Sequence, residues 1–261
     1  MALIEIRNLW KEYGSQVVLE QLNKTVHEGE FVTIVGASGC GKTTFLKLLL
    51  GTESPSRGQL LLDGEPMVAE PGEERGIVFQ RYSVFPHMTV LDNVVLSSEL
   101  KSSPFLGRLF GKARKEAEKS SIEMIEAVGL GHALRKYPHE LSGGMQQRLA
   151  LAQSLIKRPR ILLLDEPFGA LDPGIRADMH QLVLSLWREH KLTIFMITHD
   201  IKEGFYLGTR LWVFDKHRVD PQAPNAYGAQ ITYDLPVDRS AQKTAEKIVS
   251  PTQIKLAVGA A

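Results

Sequence analysis

The residues with the clearest chemical potential form a glycine-rich loop, GASGCGKTT, at positions 36–44. The loop matches G-x-x-x-x-G-K-T, and its glycines allow backbone N–H groups to curl around a phosphate. Lys42 would supply positive charge at the β- and γ-phosphate oxygens, and the Thr43 hydroxyl would be a ligand for Mg²⁺. The sequence therefore predicts a phosphate-binding loop, with a merely structural turn as the alternative.

A pair of adjacent carboxylates follows a second apolar run. Asp165 and Glu166 come directly after ILLL (161–164), and open α/β sheets bind their ligands at the carboxyl ends of strands. Successive strand residues point to opposite faces, but because the strand ends here both carboxylates can approach one site. Asp165 suits a contact with Mg²⁺ through one of the ion's own ligands, and Glu166 fits a general base or an orienting group for an attacking water. The alternative is that the pair caps the next segment.

A second anion-binding feature lies in the stretch ELSGGMQQRLALA (140–152). Ser142, Gly143 and Gly144 stand at the start of a predicted amphipathic helix. A helix N-terminus offers unpaired N–H groups and a partial positive charge, so it can hold an anion. One chain therefore carries two predicted phosphate-binding features.

Four further residues have both an ordinary and a functional interpretation. Gln80 ends the run RGIVFQ and His199 ends the run ITH, and each is explained as a polar residue at a strand end. Tyr13, in KEYG, is explained as a half-buried aromatic. Cys40, inside the glycine loop, is most simply a small side chain, with a redox role as the alternative.

The elements that must position these residues begin with short apolar runs bounded by turn residues, which predict strands. A helix follows the glycine loop and ends at Gly51. From about Pro86 to Lys157, helical periodicity replaces the strand pattern. The predicted strands are LIEIRNL, VVLEQL, EFVTIVG, GQLLLDG and RGIVFQ, and EPMVAEPGEE (65–74) is a predicted loop. The apolar stripes of the helical region are Met124, Ile125 and Val128, and Met145, Leu149, Ala152 and Ile156.

After the helical region, strands and helices alternate. RILLLDEP (160–167) and LTIFMITHD (192–200) predict two strands buried on both faces, with a helix at 174–189 between them. RLWVF and AQITYDL are weaker strand patterns, and a further helix is predicted near 241–249.

The composition limits the class of protein. The chain has 261 residues, and Lys+Arg number 31 against 30 Asp+Glu, a net charge of +1, which argues against a dedicated nucleic-acid binder. A single cysteine cannot form an internal disulfide and fits a reducing cytosol. No apolar run reaches the ~18–20 residues needed to cross a bilayer, and the N-terminus lacks the apolar segment of a signal peptide. We therefore expect a soluble cytoplasmic protein.

In order and approximate spacing, these motifs resemble the ATP-binding cassette (ABC) ATPases. The resemblance covers about residues 1–215, and LSGGMQQR is its most specific element because it separates this family from other P-loop ATPases. It implies an α/β fold: a P-loop NTPase (RecA-like) core with an N-terminal antiparallel β subdomain and an inserted helical subdomain. The implied parts of the single domain 1–261 are the core with its β subdomain at 1–85 and 158–215, the helical subdomain at 86–157, and a C-terminal extension at 216–261, expected to be a structural strand.

The resemblance also implies ATP and Mg²⁺ as ligands, together with residue roles. Tyr13 would stack on adenine, Asp172 would lie at a subunit seam, and His199 would contact the γ-phosphate and position the water. The implied catalytic residues are Glu166, His199, Gln80 and Lys42, and the implied Mg²⁺ ligands are Thr43, Gln80 and Asp165. The implied nucleotide-binding residues are Tyr13, Gly36, Ala37, Ser38, Gly39, Cys40, Gly41, Lys42, Thr43, Thr44, Ser142, Gly143, Gly144 and Asp172.

The two phosphate-binding features suggest a dimer. The helical region, tethered between Gln80 and Leu162, cannot easily fold back onto its own glycine loop, so we expect Ser142 to meet the ATP of a second copy. Two copies arranged head to tail would enclose two ATP molecules in an isologous interface. ATP then favours closure, and hydrolysis removes the γ-phosphate contacts that favour it.

The resemblance is nearest to the nitrate/sulfonate/taurine import branch. It implies separate transmembrane permease subunits, a solute-binding protein in the full complex, no nucleic acid, and a place on the inner face of the cell membrane. The segment FPHM (85–88) is the predicted docking surface, with ordinary core between two lobes as the alternative. Gly208 and Thr209 stand where that branch usually has Ala-Asp, and the segment DKHRVDPQAPNAYGAQ also departs from its pattern.

Three other functions compete with that of an importer ATPase. The ATPase of a lipid-trafficking or efflux system would carry the same motifs. A soluble ATPase of DNA repair or translation is disfavoured, because the chain has neither long heptad arms nor C-x-x-C and holds one cassette. A GTPase would need N-K-x-D, whereas the only Asn-Lys pair, Asn23-Lys24, is followed by Thr-Val.

Overall fold

The computed structural model describes residues 2–68, 70–80, 84–102, 109, 111–218, 220–223 and 225–238. The strands of these residues lie in one six-stranded and one four-stranded sheet. The strands are β1 Ala2–Tyr13, β2 Gln16–His27, β3 Phe31–Gly36, β4 Arg57–Leu62, β5 Glu65–Pro66, β6 Arg75–Val78, β7 Ile161–Asp165, β8 Thr193–Ile197, β9 Arg210–Asp215 and β10 Gln230–Pro236. The helices are α1 Lys42–Leu50, α2 Val90–Ser102, α3 Gly111–Ala127, α4 Gly143–Leu155, α5 Pro173–His190 and α6 Ile201–Leu207.

The six-stranded sheet carries the predicted site. Its order is β10-β9-β3-β8-β7-β6, with β9, β3, β8, β7 and β6 parallel and β10 antiparallel at one edge. Every residue of β8 is buried, as the uninterrupted apolar run predicts for a strand covered on both faces. Because the five parallel strands end at the same edge, the polar residues that follow them converge there. The predicted α/β fold is confirmed.

The four-stranded sheet is antiparallel, in the order β2-β1-β4-β5. The loop prediction for 65–74 is wrong at its start, because Glu65 and Pro66 pair with Leu62 and Leu61 as strand β5. Asp63 and Gly64 between the strands have φ of 52° and 85°. Such a pair makes a tight hairpin turn, so the D-G dipeptide was the signal for β5. Two residues are too few to show strand alternation.

The helical region begins at Val90, after a turn that follows Pro86. Its predicted stripes face the core: Ile125, Val128, Leu149 and Ala152 are fully buried. Met124, Met145 and Ile156 pack partly buried against the same cluster. None of the helices in the described ranges is long and apolar enough to span a membrane.

Helices α1 and α5 lie against the parallel sheet. Phe45 of α1 packs on Phe195, Trp212 and Phe214, with ring centroids 5.5 to 6.3 Å apart. Helix α5 confirms the prediction for 174–189, and its buried residues join the core cluster of the helical region: Met179, Val183, Leu184 and Leu186. Helix α6 was not predicted, although Asp200 caps its first turn and Glu203 follows three residues later. That spacing is a capping pattern and could have located the helix.

The C-terminal part of the described chain joins the two sheets. Strand β10, predicted from AQITYDL, pairs with β9. Before it, the chain runs along the outer edge of β2: Val17 N donates to Asn225 O (3.0 Å) and Ala229 N donates to Val18 O (2.9 Å). The buried carboxylate of Glu20 accepts a hydrogen bond from Gly228 N and forms an ion pair with Arg218. The helix predicted near 241–249 lies outside the described residues.

Asp234 of β10 is held by three donors. Arg210 donates to it at 2.6 and 2.7 Å, Trp212 Nε1 at 2.9 Å, and Lys24 Nζ lies 2.8 Å away. Burial by itself would raise the pKa of Asp234, but the hydrogen bonds from Arg210 and Lys24 lower it to about 2, from an ordinary 3.8. A lowered carboxyl pKa stabilises the fold above the ordinary value, and the contribution is lost as the pH falls toward the folded-state value.

We therefore expect Asp234→Asn to lower the free energy of unfolding at pH 7 by about 1–2 kcal/mol. The variant should also lose part of the decline in stability between pH 3.8 and about 2. Urea unfolding followed by tryptophan fluorescence measures both quantities. The control is Asp178→Asn, at an exposed position of α5; an equal loss in both variants would contradict the role given to Asp234.

Candidate functional site

The glycine loop joins β3 to α1, as the sequence predicts. Gly41, the residue before the helix, has a left-handed φ of 90°. A Cβ at this position would lie 2.8 Å from Leu19 Cδ2 and 2.9 Å from Val18 Cγ1, so only glycine fits beside β2. Residues 37–39 are exposed, and the first turn of α1 contains no acidic residue. The N-terminus of α1 therefore presents N–H groups that suit an anion.

Lys42 is the first residue of α1, and its side chain turns back over the loop. Its Nζ donates to the carbonyl oxygens of Gly36 and Ala37, each at 2.8 Å, and lies 3.9 Å from Cys40 Sγ. The ammonium group is thus held at the mouth of the loop by neutral acceptors. Burial raises the pKa of the Cys40 thiol, although the charge of Lys42 opposes that rise. A raised pKa disfavours the reactive thiolate and agrees with the interpretation of Cys40 as a small side chain.

Asp165 and Thr43 face each other across the sheet edge. The Thr43 hydroxyl donates to Asp165 Oδ2 at 3.3 Å. Burial raises the pKa of Asp165; the hydrogen bond from Thr43 opposes this rise, and the adjacent charge of Glu166 adds to it. A partly buried carboxylate beside a hydroxyl is a donor set that suits Mg²⁺, because this ion takes hard oxygen ligands.

Glu166, next to Asp165, has an unusual backbone conformation. Its φ is 48°, a left-handed value uncommon for a residue other than glycine. The carboxylate accepts a hydrogen bond from Gln80 Nε2 at 3.0 Å and contacts His199 Nε2. A non-glycine residue held at positive φ is typical of active sites, where packing imposes the conformation. The segments that follow three strands, β6, β7 and β8, therefore deliver three polar side chains to one point.

A cavity of about 460 Å³ lies beside this contact. Gln80, Glu166 and His199 line it together with the segment 168–170. Arg176 is a further lining residue, and it donates to the carbonyl oxygen of Leu171 at 3.1 Å. The cavity is large enough for water and for part of a phosphate chain.

Tyr13 stands at the tip of the β1–β2 hairpin with 44% of its surface exposed. Its hydroxyl donates to Glu53, and Lys11 Nζ lies 4.9 Å from the ring centroid. Burial of the hydroxyl and the hydrogen bond to Glu53 raise the pKa of Tyr13 to about 12, while a hydrogen bond with Thr44 opposes this rise. The ring is therefore held beside the end of the glycine loop. Glu53 was missed, because no periodicity links it to Tyr13.

Ser142, Gly143 and Gly144 form the start of α4, as predicted. The Ser142 hydroxyl accepts a hydrogen bond from Met145 N at 3.4 Å. Ser142 and Gly143 are exposed, whereas Gly144 is buried, and a Cβ there would lie 2.5 Å from Ile175 Cγ2. Packing on α5 explains this last glycine. Among the described residues, no hydrogen bond or ion pair joins 142–144 to the glycine loop.

Asp172 precedes α5 and is exposed; its carbonyl oxygen accepts from Arg176 N at 2.8 Å. The structure thus brings one group of predicted residues to a single sheet edge, while Ser142, Gly143 and Asp172 present themselves at the surface. The group at the edge is Lys42, Thr43, Gln80, Asp165, Glu166 and His199. In the described ranges, no three His, Cys, Asp or Glu side chains cluster as a metal site. A nucleotide-bound Mg²⁺ needs only one or two carboxylates, because phosphates complete its shell.

Comparison with known proteins gives one consistent family. The ABC transporter family model matches residues 19–169. The spermidine/putrescine import ATP-binding protein PotA of Nitrosospira multiformis is 42% identical over 222 residues, which are 84% of this chain and 59% of that protein. The nitrate import ATP-binding protein NrtD of Synechocystis is 40% identical over 230 residues, covering 88% and 80% of the two chains.

The aliphatic sulfonates import ATP-binding protein SsuB of Bacillus anthracis is 39% identical over 202 residues, covering 77% and 75% of the chains. Nitrate and sulfonate proteins thus stand among the relatives, as the branch resemblance implies. The chain spans only 59% of the length of the PotA relatives.

Solved structures agree on the fold. The cbiO1 protein of Clostridium perfringens, part of an ABC transporter complex, has a TM-score of 0.78 at 24% identity, covering 98% and 97% of the chains. A dimeric bacterial ABC transporter cassette has a TM-score of 0.72 at 28% identity, covering 90% of this chain and 99% of that one. With a family model that matches more than half of its residues, the chain belongs to the ABC transporter family.

Proposed function

We propose that the chain is the ATP-hydrolysing subunit of an ABC importer. The observation that carries this proposal is the convergence of Gln80 and His199 on Glu166, at the sheet edge that also holds the glycine loop. A carboxylate with two polar neighbours, beside a phosphate cradle, is arranged to activate water next to a terminal phosphate.

The glycine loop and Lys42 bind the triphosphate in this proposal. The carbonyl oxygens of Gly36 and Ala37 hold the Lys42 ammonium at the mouth of the loop, and phosphate oxygens are stronger partners for it. The N–H groups of residues 37–41 and the N-terminus of α1 add neutral donors and a partial positive charge. The exposed ring of Tyr13 offers a stacking surface for the base.

Thr43, Asp165 and Gln80 would hold Mg²⁺. When bound, the ion would neutralise charge on the phosphates. The remaining roles belong to residues of the protein. Glu166 accepts the proton of the attacking water, and His199 holds the water and the γ-phosphate in place. Gln80 fixes the carboxylate by its hydrogen bond and reports nucleotide state to the neighbouring lobe.

A second copy completes the site in this proposal. Ser142 and Gly143 are exposed at the start of α4, away from their own glycine loop, and Asp172 is exposed at the start of α5. Two copies arranged head to tail can place each Ser142 on the ATP of the other, which makes the interface isologous. The dimeric cassette among the structural relatives supports this arrangement.

A groove of about 440 Å³ supports the docking of a permease subunit. It lies between β6 and helices α2 and α4, and Phe79, Phe85 and Leu100 expose apolar surface there. Of the predicted docking segment 85–88, Phe85 lines this groove. Its position next to Gln80 would let a short helix of a transmembrane permease sense the nucleotide. We propose that the complex sits on the inner face of the membrane, works with a solute-binding protein and without nucleic acid, and imports a nitrate-, sulfonate- or taurine-like solute. The import relatives support this choice over efflux.

Lys42→Ala should lower the rate of ATP hydrolysis by at least about two orders of magnitude, because no charge then offsets the phosphates. Phosphate release with Mg²⁺ measures this, and Lys119→Ala, at an exposed position of α3, is the control. Specific activity of the unmodified chain should rise with protein concentration, because two copies build each site. Specific activity that is unchanged on dilution would contradict the dimer, and an active Lys42→Ala variant would contradict the site.

A further inference from the structure

A largely buried polar cluster lies behind His199, where Thr198 and Glu203 also line the cavity beside Glu166. At its centre is Glu203 of α6, whose surface is only 8% exposed. One carboxylate oxygen lies 2.8 Å from His180 Nε2, and the other accepts the hydroxyl of Thr198. Thr198 is itself 3% exposed. A carboxylate is thus buried with two polar partners within the core of the molecule.

The cluster is tied directly to the backbone of His199. The Thr198 hydroxyl donates to Glu203 and accepts from Asp200 N at 3.0 Å. The second of these hydrogen bonds joins the two neighbours of His199. Thr198 N donates to the carbonyl oxygen of Ile34 at 3.1 Å, near the end of β3. Hydrogen bonds therefore hold the backbone of the turn before and after His199. The one after it depends on the Thr198 hydroxyl.

The same cluster supports the segment after Glu166. The ring of His180 packs edge-on against Phe168 with centroids 4.9 Å apart, and Phe168 is 1% exposed. Phe168 follows Glu166 by two residues. His180 therefore touches one catalytic loop through its ring and the other through Glu203.

Stability alone is a poor explanation for such a cluster. Burying a carboxylate is costly even when it is paired, and apolar residues of similar volume often stabilise as well or better. What the polar groups add is direction, because hydrogen bonds fix the turn in a single geometry whereas apolar packing does not. We propose that Thr198, Glu203 and His180 are positioning residues, which hold His199 against Glu166 in the geometry needed for hydrolysis. This inference rests on the proposed ATPase function.

The first test removes one hydroxyl at each end of β8. Thr198→Val keeps the shape and loses both bonds, and we expect kcat to fall by about ten- to a hundredfold, since small misplacements at a reacting centre have effects of this size. The dissociation constant for ATP should change by less than about twofold, because the glycine loop and the Lys42 contacts that hold the phosphates do not involve Thr198. Thr198→Ser keeps the hydroxyl and should restore most of the rate.

Thr193→Val is the matched control. Thr193 is a fully buried threonine at the other end of β8, and its hydroxyl accepts from Gly29 N at 2.9 Å. Its loss should lower stability to a similar degree and leave kcat within about twofold, because both changes remove buried hydroxyl bonds. Equal loss of kcat in the two valine variants would overturn the proposal, and so would a normal kcat in Thr198→Val.

The second test does not depend on hydrolysis. Glu203→Gln replaces one acceptor oxygen by an NH₂ group, so the cluster must either lose its contact with His180 or change the tautomer of that ring so that Nε2 accepts. In nucleotide-free protein labelled at histidine Cε1, we expect this variant and Thr198→Val to shift or broaden the His199 resonance, assigned with His199→Gln, and Thr193→Val to leave it in place. An unchanged resonance overturns the positioning role. If the unmodified chain hydrolyses no ATP while the resonance shifts, the positioning stands and the proposed function fails.

Discussion

Glu166→Gln should abolish nearly all ATP hydrolysis while leaving ATP bound. The amide has the shape of the carboxylate but cannot accept a proton from water, and loss of a general base lowers rates by about 10²–10⁴-fold. Because Glu166 lies outside the glycine loop, and its neighbours Gln80 and His199 remain, the affinity for ATP should not fall. Without hydrolysis, nothing removes the γ-phosphate contacts that close the dimer.

Two measurements on Glu166→Gln check this expectation. Phosphate release reports turnover, and size-exclusion chromatography with light scattering should show a dimer that forms with ATP and not with ADP. Glu65→Gln, an exposed position of β5, is the control and should hydrolyse normally and stay monomeric under the same conditions. Hydrolysis at the parental rate in Glu166→Gln would show that another group is the base.

Ser142→Arg should eliminate turnover through the other copy of the chain. The residue is exposed and its hydroxyl bonds only within the first turn of α4, so a long charged side chain there need not disturb its own fold. Facing the ATP of the partner, it would fill the space of the γ-phosphate and block closure. We expect hydrolysis to fall below about 1% of the parental rate, in line with losses of phosphate-stabilising groups, with ATP binding by the monomer unchanged.

A mixing experiment distinguishes the two possible geometries. Ser142→Arg lacks a usable helix start and Lys42→Ala lacks a usable glycine loop, so a mixed dimer retains one intact composite site if the sites are shared. Mixing the two inactive variants should therefore restore part of the activity. If Ser142 instead served its own glycine loop, the mixture would stay inactive. Ser120→Arg, exposed on α3 in the same lobe, is the control for charge and bulk.

The position of the site could be predicted from the sequence, because the carboxyl ends of parallel strands lie at one edge of the sheet. Gln80, Asp165 and His199 each follow an apolar run by no more than two residues, and the carboxyl ends of such strands share one edge. The glycine loop was predictable for the same reason, since it leaves β3 at that edge. The pattern of apolar runs thus predicted where the polar residues lie, and the family resemblance predicted the arrangement of the two sheets.

Other parts depend on contacts between distant residues. The left-handed backbone of Glu166 leaves no trace in periodicity. Glu53, in the segment between α1 and β4, meets Tyr13 at the end of β1, and Glu203 meets His180 between two helices. Each looked like an ordinary surface carboxylate in the sequence. The local sequence pattern does not show which carboxylate will be paired, because the partner lies far away in the sequence.

The segment that runs from Asn225 to β10 closes two open flanks at once. It satisfies the main-chain groups of Val17 and Val18 on the outer strand of the antiparallel sheet, and β10 does the same for β9. An unpaired edge strand can pair with a strand of another molecule, which leads to aggregation. A shortened form for crystallisation should therefore end beyond Pro236, because an earlier end would leave the edges of β2 and β9 unpaired and open to aggregation.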